Sequence, residues 1–140
     1  MNWKSSPPGK EDLDILARTI YGEARGELYG GKVGVACVIM NRVKARSYFG
    51  DTVVEVCLKP NQFSCWNAND PNREKVEAAS IDKDVFLECL DVAKRTLAGE
   101  FEDLTFGSRH YLAPGANPYW AKGKTPIIQI GNHRFFNNVS

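Results

Sequence analysis

The sequence predicts an α+β domain, helix-rich, with a small antiparallel sheet at its C-terminal end. Two observations predict it. Up to Gly99, apolar residues recur at the i, i+3, i+4 spacing of helix faces. After Gly99, short runs of β-branched and aromatic residues are separated by Gly- and Pro-rich stretches. Helices first and strands afterwards is the order of an α+β domain. The length of 140 residues fits one domain with a real core.

Residues 1–9, with Pro7, Pro8 and Gly9, predict a flexible arm ahead of a single domain over 10–140. A first helix is expected from Lys10 to Ala24. Glu11 and Asp12 sit in its first turn, where the helix dipole favours them, and Leu13, Leu16, Ala17, Ile20 and Ala24 form one face. Gly30 and Gly31 punctuate the chain. A second helix over Val33–Arg46 is apolar almost all round in its first half, the pattern of a central buried helix. Asp51 or Thr52 caps a short third helix that ends at Leu58, before Pro60. A loop over 61–67 mixes aromatics with amides, and the polar stretch Asn69-Asp70-Pro71-Asn72 follows it. The last helix spans Lys83–Ala98, with Val85, Phe86, Cys89, Leu90, Ala93 and Leu97 inward and Gly99 as its stop. Strands are expected at Thr105–Leu112, Ile127–Ile130 and His133–Phe136, with Gly131-Asn132 as a tight turn. Between the first two strands, the loop 113–126 carries Tyr119 and Trp120.

Composition narrows the function. A net charge of +1 argues against a nucleic-acid binder that relies on a strong basic field. The longest apolar run, Val33–Met40, is too short to span a bilayer. The first eight residues lack the apolar core of a signal peptide. Cys37, Cys57, Cys65 and Cys89 form no Cys-x-x-Cys pair, which argues against zinc, and no feature indicates a metal or an organic cofactor. Cys37 and Cys89 read as reduced core residues, whereas Cys57 and Cys65 straddle a turn at a spacing open to a bridge.

The densest chemical signal is Tyr21-Gly22-Glu23-Ala24-Arg25-Gly26-Glu27. At about 100° per residue, Glu23 falls on the shoulder of the first helix's apolar face. A carboxyl there is partly stripped of water, the condition under which an acid keeps a proton near neutral pH. Gly22 and Gly26, lacking side chains, leave room for a large substrate. The plain alternative is a helix end with solvated acids and a glycine cap. A second segment follows: Gly31, Val33, Val35, Ala36, Val38, Ile39, Asn41, Arg42, Val43. Then come Phe63-Ser64, His110-Tyr111, Asn117-Pro118, Trp120 and Ile130-Gly131-x-His133-x-Phe135.

In this order, over about residues 13 to 136, the chain resembles the SleB-type cell-wall hydrolases, which include spore-cortex-lytic enzymes and related phage lysins. The resemblance implies a lysozyme-like fold, peptidoglycan as substrate, and Glu23 as the catalytic acid. It also fits the missing signal peptide: a phage lysin made in the cytoplasm reaches the wall through a holin pore. A monomer is expected.

Glycosidic cleavage needs an acid to protonate the leaving oxygen, and a hydrolase needs a second carboxylate at a defined distance. A lytic transglycosylase does not, because its acid later serves as base while the sugar's own 6-hydroxyl attacks. One dominant acid therefore favours a transglycosylase cutting between MurNAc and GlcNAc. A hydrolytic muramidase is the alternative, with Glu27 or Asp70 holding water. Trp66, Tyr111, Tyr119 and Trp120 offer flat faces for sugars, and Asn41, Gln62, Ser64 and His110 offer polar edges. Glu27 is expected near the substrate, in an orienting role. Asn41 can instead tie the second helix to a loop, Tyr21 can pack beneath the motif, and His133 reads as structural. Two other classes stay open. One is a non-catalytic peptidoglycan-binding module. The other is a cysteine peptidase with Cys65 as nucleophile and His110 or His133 as base.

Overall fold

A computed structural model of the chain describes residues 9–139; apart from Gly9, the expected arm lies outside the described residues. Helix α1 spans Lys10–Ala24 and opens with the Asp12 carboxylate accepting the Gly9 backbone N–H at 3.2 Å. Leu16, Ala17, Ile20 and Ala24 are buried as their spacing predicts, and they pack chiefly against α5, Lys83–Leu97. Tyr21 is buried beneath the motif and donates its hydroxyl to Asp82 at 3.0 Å.

Helix α2, Tyr29–Ala45, is the central element, and every residue from Gly31 to Ile39 is buried. It begins four residues before the expected start, so Gly30 and Gly31 are its first turn and not a break. Gly34 explains a glycine inside a buried helix. A Cβ there would stand 2.6 Å from the Phe135 ring, so the missing side chain lets the sheet dock on the helix. Helix α3, Val53–Leu58, is capped by Thr52, whose Oγ1 accepts the Glu55 N–H at 3.1 Å. Helix α4, Asn72–Glu77, begins at the end of the polar stretch 69–72, and no element is expected there from the sequence. It buries only Val76, too little to leave a periodic signal, and starts where the Asp70 carboxylate accepts the Asn72 N–H at 2.8 Å. Helix α5 buries Phe86, Cys89, Val92 and Ala93; Val92 was not anticipated, while Val85, Leu90 and Leu97 flank the seam half-buried.

The sheet has three antiparallel strands in the order β1-β3-β2: β1 His110–Leu112, β2 Ile128–Ile130, β3 His133–Phe136. Ile130 pairs with His133 across the two-residue turn, where Gly131 takes φ +59°. Strand β1 is shorter than expected because Asp103 organises residues 103–107 into a turn. Its carboxylate accepts the Thr105 N–H at 2.8 Å, the Thr105 hydroxyl at 2.6 Å and the Gly107 N–H at 2.7 Å. All four cysteines are buried free thiols, so Cys57 and Cys65 do not bridge. Among the described residues, no helix is long and apolar enough to cross a membrane.

Candidate active site

Glu23 occupies the last turn of α1, half-buried as its shoulder position predicts. Its partner comes from the other end of the chain. The Tyr111 hydroxyl, projecting from β1, donates to Glu23 Oε1. Burial and the adjacent Glu23 charge hold the Tyr111 phenol well above its ordinary pKa, so it remains a neutral donor. Strand β1 sets this geometry by pairing Tyr111 with Phe135 of β3, and Phe135 is seated against Gly34 of α2.

Around this pair lies an open groove of about 270 Å³. It gathers Glu23, Gln62, Ser64, His110, Tyr111 and Trp120, six of the residues singled out from the sequence. The 61–64 loop forms one wall. Trp120 forms another, tilted against His110 with ring centroids 4.9 Å apart. Tyr119 is 90% exposed beside it. Burial, helped by the cations Arg42 and Arg109, pushes His110 down to about 4, so its imidazole is neutral near pH 7.

Arg42 completes the floor, and sequence reasoning missed it as a site residue. Its guanidinium is buried over the rings of Phe49 at 4.6 Å and Phe63 at 5.1 Å. Nε donates to the Arg109 carbonyl at 2.7 Å and a terminal N–H donates to Gln62 Oε1 at 2.8 Å. Burial lowers its pKa, while Glu23 and Tyr111 oppose that shift. The available signal was spacing: Arg42 follows Val35, Val38 and Ile39 on the buried side of α2, where a charge needs a reason.

Three expected substrate contacts lie elsewhere. The Asn41 amide donates to Asp103 at 2.8 Å and to the Ser108 carbonyl at 2.9 Å, so it ties α2 to the turn before β1. The Trp66 indole donates to Thr19 Oγ1 at 2.9 Å and packs on the core. Both Glu27 oxygens are taken by Asn132, at 2.9 and 3.0 Å from its backbone and side-chain nitrogens. Asp70 lies against the start of α4 and does not line the groove. Gly22 serves packing and not substrate approach: a Cβ would stand 2.7 Å from Cys65 and Val76. Cys65 is fully buried, and burial together with the Glu23 charge pushes its thiol far up, which removes it as a nucleophile. Among the described residues, no cluster of three or more His, Cys, Asp or Glu side chains is arranged to hold a metal.

A family model described as Cell Wall Hydrolase matches residues 26–136, beginning three residues after Glu23. The chain is 33% identical over 129 residues to a spore cortex-lytic enzyme of Oceanobacillus iheyensis, covering 90% of this chain and 41% of that protein. It is 32% identical over 136 residues to a spore cortex-lytic enzyme of Halalkalibacterium halodurans, covering 94% of this chain and 37% of that protein. The chain thus spans about two fifths of the length of these relatives. Among solved structures, it is similar to the catalytic domain of the germination-specific lytic transglycosylase SleB from Bacillus anthracis. The TM-score is 0.67 at 29% identity, covering 91% of this chain and 95% of that one. The catalytic domain of the Bacillus cereus SleB protein gives 0.68 at 27% identity, covering 96% and 97%. The fold is lysozyme-like, as expected.

Proposed function

The chain belongs to the cell wall hydrolase family, and from that premise we propose that it cleaves peptidoglycan glycan strands between MurNAc and GlcNAc as a lytic transglycosylase. One observation carries the reading: among the described residues lining the groove, Glu23 is the only carboxylate, and it is paired with Tyr111. In its acid form Glu23 gives its proton to the glycosidic oxygen as the bond to the anomeric carbon breaks. Its carboxylate then takes the proton from the sugar's 6-hydroxyl, whose oxygen closes on the anomeric carbon and leaves a 1,6-anhydro end. The Tyr111 hydroxyl holds one carboxyl oxygen of Glu23. The buried Arg42 cation favours the carboxylate once its proton has gone. Trp120 and the exposed Tyr119 offer faces on which sugar rings can stack.

A hydrolytic muramidase needs a second carboxylate within about 10 Å to hold water. Glu27, the nearest in sequence, has both oxygens engaged by Asn132, which favours the transglycosylase. The curated relatives carry the name spore cortex-lytic enzyme, which supports peptidoglycan as the substrate here. Action as a phage lysin released through a holin is proposed on the sequence resemblance alone.

The test is mass spectrometry of fragments released from purified peptidoglycan by wild type and Glu23→Gln. Anhydro ends that vanish with the variant are expected. Reducing ends that vanish would make the protein a muramidase. Release unaffected by the variant would remove Glu23 as catalyst. Pelleting with walls without release by wild type would make it a binding module.

A further inference from the structure

Glu27 lies outside the groove, yet a chain of contacts leads from it to the reacting acid. Its Oε1 accepts the Asn132 N–H at 2.9 Å and its Oε2 accepts the Asn132 side-chain amide at 3.0 Å. The same Oε1 faces His133 Nδ1 at 3.9 Å, with the two side chains only 9% and 4% exposed. Among the described residues, His133 Nδ1 is buried without a hydrogen-bond partner, and the carboxylates of Glu27 and Glu23 both act on it electrostatically. The His133 ring stands edge-on to the Tyr111 ring, with centroids 5.2 Å apart at 67°. Tyr111 in turn donates its hydroxyl to Glu23. The clamp has little slack. A Cβ on Gly131 would collide with Glu27 Oε1, and one on Gly31 would stand 2.8 Å from Glu27 Cβ.

We propose that Glu27 is a positioning residue: by clamping the β2–β3 turn it holds His133 against Tyr111 and so sets the Tyr111 hydroxyl on Glu23. The segment that supplies the acid also supplies, four residues later, the anchor for the hairpin turn whose His133 packs on Tyr111. Loss of the Glu27 charge loosens the turn at its first β3 residue, and the looseness reaches the acid through one aromatic contact. The role is expressed in turnover and not in substrate affinity, because Glu27 does not line the groove. The inference rests on Glu23 being the reacting acid.

A double-mutant cycle tests it, with soluble glycan strands as substrate. Glu27→Gln should lower kcat about tenfold and leave KM within about twofold, the mark of an interaction felt in the transition state. In a Tyr111→Phe background the same change should add less than about twofold, because the pathway through the hydroxyl is already gone. Losses that multiply, or an unchanged kcat, overturn the proposal. Asn132→Gly, at an exposed position, provides a second variant should Glu27→Gln fold poorly; it removes one of the two clamping bonds and should show a smaller loss with the same dependence on Tyr111. A substrate-free readout separates this inference from the functional reading. The Tyr111 13Cζ resonance, assigned by its disappearance in Tyr111→Phe, should move in Glu27→Gln. A resonance that stays put overturns the clamp whether or not the protein cuts glycan.

Discussion

Glu23 and Tyr111 lie 88 residues apart in sequence, and their hydrogen bond is the centre of the site. A hydrogen bond to a charged group is worth roughly 1.5–3 kcal/mol, or about 10- to 160-fold in rate if all of it is used in the transition state. Tyr111→Phe should therefore lower kcat by a factor in that range while the protein still melts cooperatively; release kinetics beside a thermal melt would check both. The residue that precedes the acid matters for a different reason. Gly22→Ala places a methyl 2.7 Å from both Cys65 and Val76, neither of which can retreat from the core. A loss of about 1–3 kcal/mol is expected, measurable by urea unfolding. Glu23, Tyr111, Trp120 and the 62–64 loop were legible from residue type and order. Arg42 was not, because a lone arginine on an apolar helix face reads first as a surface residue.

Elements carry the site to its geometry. Helix α2 is the platform: Gly34 receives Phe135, Asn41 fixes the turn before β1, and Arg42 reaches the groove floor. Helix α3 leads into the groove wall at 61–64, and two side chains hold its start: Thr52 Oγ1 accepts the Glu55 N–H, and Glu55 Oε1 accepts the Asp51 N–H. Thr52→Ala should cost about 1 kcal/mol, read as a shift in the urea midpoint. The long helices were legible because each buries a continuous stripe. Helix α4 and the true start of β1 were not. The first buries a single apolar residue, and the second is displaced by the Asp103 carboxylate, which offers the backbone a turn in place of a strand ladder.

At the scale of the whole molecule, two histidines make stability depend on pH. Burial lowers the pKa of both His110 and His133, the former to about 4. The unfolded chain takes up protons near pH 6.5 that the folded chain refuses, so their contribution is complete above that pH and is lost as the pH falls towards 4. Glu27 acts in the same direction further down. Its carboxylate is held below its ordinary range by the two bonds from Asn132, against the opposing effect of its own burial, so its contribution is lost only at lower pH. The urea midpoint should therefore drop between pH 7 and pH 5, and His110→Gln should drop less. An equal drop in both would remove His110 as a cause.

The sequence by itself determined the class of domain, the long helices, the hairpin turn and the motif that carries the candidate acid, Glu23. These are local properties: periodicity, turn chemistry and a motif contiguous along the chain. Tertiary structure alone decided which side chains meet that acid. Docking of β3 on Gly34 brings Tyr111 to Glu23, while the same packing turns Glu27 to Asn132, Trp66 to Thr19 and Asn41 to the turn before β1. The physical reason is that each of these polar groups must find a partner once buried, and the partner lies wherever the packed elements place one, at a sequence distance no local pattern encodes.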